Sequence, residues 1–459
     1  MSRSVSAENQ ITQGVIWKQI LVFFFPILFG TFFQQLYNTF DAIIVGQFVG
    51  KQALAAVGGG TSNLVNIVVN LFTGVAAGTT VVVAQGVGAR DPERVSKTVH
   101  TSAAMSLVGG LVFTVVGVLA ARPALLAMGT PDDVMGYAVQ YLIAYCLGMI
   151  PSFFYNVGAG ILRAVGDTKR PLYFLIVACL VNIVLDILFV AVMGLGALGA
   201  GLATMISQWV SAALVYISLT GTSAIYRLDK TQLCFDKASL SRVLQVGIPA
   251  GIQGNMYAIS NVILQSCINS FGTDTVAAWT SFSKVDGFFW MVSGAYGIAI
   301  TTFAGQNYGA GLYSRVRKSV HVCLAMCAGT AVAMSVLMVS CSGIFLRMFT
   351  QDEAVLEIGT VMVHHLMPYY VTFVCIEILS GAIRGCGQAL IPMILTGSGV
   401  CGLRILWVFL VVPLKKDILT VLASYPISWV ITSICFVIYY KCGKWLSKED
   451  RQPAVSAEA

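Results

Sequence analysis

Residues 84–105, AQGVGARDPERVSKTVHTSAAM, return as GQNYGAGLYSRVRKSVHVCLAM at 305–326. Gln85/Gln306, Gly88/Gly309, Arg94/Arg315, Lys97/Lys318 and His100/His321 stand at one constant offset. The same offset pairs GILRAVGDTKRP (160–171) with GAIRGCGQALIP (381–392), matching Arg163/Arg384, Gly166/Gly387 and Pro171/Pro392. Pro26 answers Pro249 with a slip of two positions. Two blocks far apart that share one offset mark an internal duplication, not a bias of composition.

Outside these blocks the chain is apolar. Of 459 residues 57% are hydrophobic and only 10% charged. Soluble domains carry roughly 25% charged residues, so the composition is that of a polytopic membrane protein. Apolar runs long enough to span lie near 16–45, 53–86, 96–121, 134–162, 171–193 and 197–220, then near 242–269, 275–306, 317–342, 355–382, 390–413 and 418–442. The expected fold is therefore all-α: twelve transmembrane helices in two six-helix lobes. The N-terminal lobe is 1–220, a polar linker 221–240 and the C-terminal lobe 241–459. Because six is even, both halves keep one orientation in the membrane. Such a parallel repeat belongs to alternating-access carriers that handle substrate between halves.

The net charge of +7 could suggest a nucleic-acid partner, but its placement argues topology. With both termini inside, the outer loops keep only Lys51, Arg122, Arg347, Lys415 and Lys416, and Lys284 and Arg404 fall within spans. Every other Lys and Arg, including Arg3, Lys448 and Arg451, is cytoplasmic, as the positive-inside rule requires. A multi-pass cell-membrane protein with cytoplasmic termini follows, with no nucleic-acid partner. The 12 cysteines form no CxxC pair and read as small hydrophobes. The polar start, residues 1–14, is no cleavable signal peptide.

Chemistry concentrates in the first span, PILFGTFFQQLYNTFDAIIVG (26–46). Gln34, Asn38 and Asp41 fall at i, i+4 and i+7, on one helical stripe. A carboxylate deep in hydrocarbon costs roughly 2.5–3.5 kcal/mol, so Asp41 reads as functional, facing a cavity or the bundle interior. Pro26 supplies a kink below it. Asp186 is a second buried acid, with Asn182 one turn earlier on its face. Thr204, Ser207, Gln208 and Ser211 in the sixth span, Asn63, Asn66 and Asn70 in the second, and Asn156 in the fourth could face the same interior. The alternative is that these groups only hydrogen-bond helices together.

The second half does not repeat the acids. Trp407 stands where the repeat would place a partner for Asp186, Lys284 matches Asn63, and Glu377 matches Asn156. Lys284 and Asp286 could form an internal ion pair, and Glu377 could attract a cation or pair with Arg384. His100 and His321 read as helix-end structure. Phe153, Phe154, Tyr155, Met291 and Tyr296 are candidate cavity aromatics and thioethers suited to flat apolar cations, with core packing as the alternative.

The paired R-x-x-G motif, the QGVGA/QNYGA repeat and Pro26, Gln34, Tyr37, Asn38 and Asp41 resemble the multidrug and toxic compound extrusion (MATE) transporters, in their DinF- and MepA-like branch. The resemblance covers essentially the whole chain. It implies a V-shaped twelve-helix fold and export of cationic amphipathic compounds in exchange for H⁺ or Na⁺. Carried across, it implies an ion site of Asp41, Asn182, Asp186 and Thr204. Gln34, Tyr37, Asn38, Asn63, Asn156, Met291 and Glu377 are then expected toward the substrate. The NorM-like acids of the seventh and tenth spans are absent, which puts a second-lobe ion site of that kind in doubt. The expected protein is a monomeric antiporter, not an enzyme, needing no cofactor or metal beyond a coupling H⁺ or Na⁺. A flippase for a lipid-linked precursor, or an exporter of an endogenous metabolite, is the alternative reading.

Overall fold

The structure, a computed structural model, describes residues 11–446; Arg3, Lys448 and Arg451 of the charge argument lie outside them. It is all-helical, with the twelve expected segments in order. The first six are α1 (Ile16–Phe48), α2 (Lys51–Gly88), α3 (Pro92–Ala127), α4 (Asp132–Leu147 with Met149–Ala164), α5 (Lys169–Val192) and α6 (Gly196–Thr220). The second six are α7 (Lys237–Asn269), α8 (Thr273–Gly309), α9 (Tyr313–Ser340), α10 (Glu353–Gly385), α11 (Leu390–Leu410) and α12 (Ile418–Cys442).

Ten of these are long and apolar enough to cross a membrane, and α4 makes an eleventh if its two pieces, bent by 48° at Gly148, count as one span. Helix α7 has the length, but Gln253, Asn255, Asn261 and Gln265 dilute its hydropathy.

The repeat motifs are helix stops. Gly166 and Gly387 both sit in the left-handed region, at φ 103° and 93°. At each, the glycine amide bonds the carbonyl of the motif arginine, and the next amide reaches one residue further back (Asp167 to Leu162, Gln388 to Ile383). This is the Schellman arrangement, which needs a residue free of Cβ strain. The R-x-x-G spacing is thus the spacing of a helix C-cap. The other block ends α2 and α8 alike, at Arg90 (φ 54°) and its repeat partner Gly311 (φ 71°).

Two compact units divide the described chain. One is Phe25–Gly251; the other joins the segment ending at Phe24 to Ile252 and everything after it. The cuts fall inside α1 and α7, next to Pro26 and Pro249. In the first unit, Gly74 and Gly78 of α2 lie against Val243, Gly247 and Gly251 of α7, so close that a methyl group on either would strike α7 backbone. Two small-xxx-small faces meet there, the close-approach geometry of membrane helices. In the second unit, Phe24 stacks on Tyr296 at 4.3 Å and Phe23 meets Phe303 edge-on at 5.4 Å, fixing the start of α1 to α8.

The linker is docked on the first unit. His100 Nε2 accepts from the Asp229 amide (3.0 Å), while Nδ1 lies 2.7 Å from the Ser96 carbonyl. That fixes a neutral ring with its proton on Nδ1. Thr101 Oγ1 donates to the Cys234 carbonyl and accepts from the Asp236 amide. Asp229 and Asp236 are held below the usual carboxylate range by the hydroxyl and then the amide of Thr231 and of Ser239, respectively. His100 is therefore helix-end structure, as expected. Its repeat partner His321 is exposed.

Candidate functional site

The first unit gathers the four expected ion-site residues in its interior. Asp41 from α1 is 4% exposed, and Asn182 and Asp186 from α5 and Thr204 from α6 are fully buried. The Asp41 and Asp186 carboxyls are immediate neighbours. Asn182 and Asp186 share a face by their four-residue spacing. Asp186 is also the last α-helical residue of α5, before a π-helical turn at Ile187–Val192. Such turns re-aim side chains and favour functional places.

Both polar atoms of Asn182 are buried without a hydrogen-bond partner, and the buried Asp41 and Asp186 carboxyls have only each other, a contact that needs a proton or cation between them. Folded proteins pair buried polar atoms almost without exception. Two neighbouring carboxylates cannot both carry charge in a dry interior without a proton or cation. The donor set is oxygen-rich and hard, which suits H⁺ on a carboxyl or a small alkali cation.

Tyrosines close the site. Tyr37, one turn before Asp41, lies beside Thr204 and within the field of both acids. Tyr141 of α4 feels both acids and Tyr145 feels Asp41, and Tyr145 adjoins Gln208. Gln208 fits against Gly148, at the α4 bend, where a side chain would collide with it. The sequence reading missed Tyr141 and Tyr145; their signal was an i, i+4 tyrosine pair in an otherwise apolar run.

Other expected residues do not join the acids. Gln34, Asn38 and Asn63 are exposed, and Asn156 returns its amide to the Ser152 carbonyl (2.8 Å). Ser207 and Ser211 bond back to their own helix, at Thr204 and Gln208. Met291 is half-buried in α8. Phe153, Phe154 and Tyr296 are core, not cavity lining; Phe153 stacks on Phe72 at 4.3 Å. Tyr155 donates to the Pro171 carbonyl. Flat rings satisfied one another before any ligand was needed.

In the second unit, Lys284 and Asp286 do not pair. Lys284 is exposed, and Asp286 instead accepts from Trp290 Nε1 (2.7 Å) and the Tyr370 hydroxyl. Two residues apart on a helix, they point to different faces. Glu377 is half-buried against Gly297, whose missing side chain makes room for its carboxylate. Arg384 lies within its field. The repeat counterpart of Asp186 is Trp407, whose Nε1 donates to the Thr420 carbonyl (2.8 Å).

A duplicated run of six membrane-length helices, with a pair of neighbouring carboxyls buried inside the first unit, is the architecture of a membrane transporter. The chain belongs to the MatE family, whose profile it matches over residues 26–188 and 249–410, one match per repeat. It is 26% identical to the probable multidrug resistance protein YoeA of Bacillus subtilis (strain 168) over 434 residues, 93% of this chain and 94% of the relative. Its fold superposes on a MOP superfamily transporter from Pyrococcus furiosus with TM-score 0.88, at 23% identity, covering 95% of this chain and 97% of that one. A MATE crystal structure in the bent conformation gives TM-score 0.88 at 23% identity, covering 96% and 99%.

Proposed function

We propose that this MATE transporter exports organic cations in exchange for H⁺ or Na⁺ bound by Asp41, Asn182, Asp186 and Thr204. The relative YoeA is described as a probable multidrug resistance protein, which supports a drug-like cargo. The observation that carries the ion site is the neighbouring Asp41–Asp186 pair, two buried carboxyls that meet each other and receive no donor from any other described residue. A proton or cation there cancels one carboxylate and supplies the missing bonds. Asn182 and Thr204 present further oxygens, and Tyr37 screens the pair from water.

Loading removes net negative charge from the first unit's interior. A carrier whose conformers bind the ion unequally shifts between them by that difference in affinity. The second unit lacks the pair, so one half reads the ion. This arrangement matches the DinF- and MepA-like pattern, with acids in the first and fifth spans, to which we assign the chain. On the strength of the basic loops we assign both termini to the cytoplasm, and we take the chain to act as a monomer in the cell membrane. An exposed cysteine in the linker, Cys234, would then react with an impermeant maleimide in inverted vesicles but not in intact cells.

The test is ethidium counterflow in proteoliposomes with pH and sodium gradients imposed separately. One gradient should drive transport, and Asp41→Asn and Asp186→Asn should each reduce it to background while the protein remains folded. Full transport by both variants would sink the proposal.

A further inference from the structure

The second unit contains a box that none of the foregoing uses. Its walls are Trp290 of α8, Tyr370 of α10, and Tyr425 and Trp429 of α12. Tyr370 and Trp429 lie 5.3 Å apart, Tyr425 and Trp429 5.6 Å, and Trp290 and Trp429 6.2 Å. At one edge Asp286 is fixed by Trp290 and Tyr370 as acceptor for both, the bonding of an ionised carboxylate. Over two of these rings lies Arg404 of α11, with Cζ 4.1 Å from the Tyr425 ring centroid and 5.6 Å from that of Trp429. Rings around a cation, with a carboxylate beside them, are the usual chemistry of organic-cation recognition.

Arg404 fits the box badly as a permanent member. It is 2% exposed, yet only Nε has a bond, to Ser428 Oγ at 3.2 Å, and Nη2 is buried without a partner. Asp286 lies within its field but forms no ion pair with it among the described residues. A guanidinium kept for stability saturates its five donors, since unmet ones are costly in the interior. Arg404 also follows the second π-helical turn, Gly397–Gly402, a place where a helix can change register without breaking. Asp286 and Trp290 are only half-buried, whereas Arg404 and Trp429 are not exposed. The box therefore opens on its acidic side.

We propose that Asp286 with these four rings is a second organic-cation subsite, in which the chain's own Arg404 guanidinium stands as a displaceable internal ligand. The cargo class is a delocalised, weakly hydrated monocation with flat apolar faces. This rests on the organic-cation reading above, but its test needs no gradient. Equilibrium dialysis of the full chain in nanodiscs, with tetraphenylphosphonium as the probe, would compare wild type with Arg404→Met, which keeps bulk and removes charge.

Binding should tighten at least about ten-fold in Arg404→Met, stay at the wild-type level in Arg404→Lys, and lose the gain when Asp286→Asn is added. Methylguanidinium should compete with the probe in Arg404→Met. Asp286→Asn alone should weaken binding, which tests the idea even if Arg404→Met does not fold. Equal or weaker binding by Arg404→Met, or no effect of Asp286→Asn, overturns the proposal. Adding Asp41→Asn to Arg404→Met should leave the ten-fold gain in place, so failure of ion coupling and failure of this subsite read out separately.

Discussion

Arg90 occupies a backbone angle that its repeat partner leaves to glycine, φ 54° against 71° at Gly311. Left-handed backbone costs an ordinary L-residue roughly 1–2 kcal/mol. Arg90→Gly should therefore raise stability by about 1 kcal/mol, read as a higher melting temperature of the purified protein. Gly387→Ala should lower it by a similar amount, because the cap that ends α10 needs the positive angle. At this scale the sequence showed the acids and hid their company. Asp41 and Asp186 stood out because charge is rare and expensive in hydrocarbon. Gln34 and Asn38 share a stripe with Asp41 by spacing, but the stripe crosses from buried to exposed along α1. Spacing gives direction around a helix axis; it does not say where along that axis the neighbours stop.

Between elements, glycine decides how near two backbones come. Gly78→Val should destabilise by about 2–3 kcal/mol, the cost of overpacking a contact that cannot give, since its new carbons would meet α7 backbone. Gly136→Ala, also within a helix but with nothing within 4 Å of the added carbon, should be neutral or gain up to about 1 kcal/mol from helix propensity. Thermal unfolding of the two variants side by side checks both. The docked linker makes a further expectation. His100→Ala removes the acceptor for the Asp229 amide, so hydrogen exchange across 229–236 should quicken. In wild type, the bonds of Asp229 and Asp236 to Thr231 and Ser239 hold from neutral pH through the ordinary carboxylate range. They loosen only as pH falls through the depressed values below it. The π-helical turns in α5 and α11 left no mark in the sequence, because a single wide turn changes neither hydropathy nor composition.

For the whole molecule, the duplication, the helix order and the number of segments were legible in 84–105 and its echo. The partition of packing was not. Hydropathy reads segments in chain order, and it placed the lobes at 1–220 and 241–459; backbone proximity groups Phe25–Gly251 as one unit. The difference lies in which neighbour each end of α1 and α7 meets, and glycine and aromatic contacts decide that, not apolar length. A consequence can be measured. A protease site inserted between Gln232 and Leu233, both exposed, would cut the chain before α7. The second fragment would still hold residues 237–251, which pack on Gly74 and Gly78 of the first. The first would still carry Phe23 and Phe24, which pack on Phe303 and Tyr296 of the second. Each fragment then keeps a helix end that belongs to the other's unit. The cut protein should co-elute as one species in mild detergent and retain ion-driven efflux. Introducing Gly78→Val should make the cut fragments separate while the uncut chain stays whole. Separation of the cut wild type would mean that linker continuity, not the exchanged ends of α1 and α7, holds the halves together.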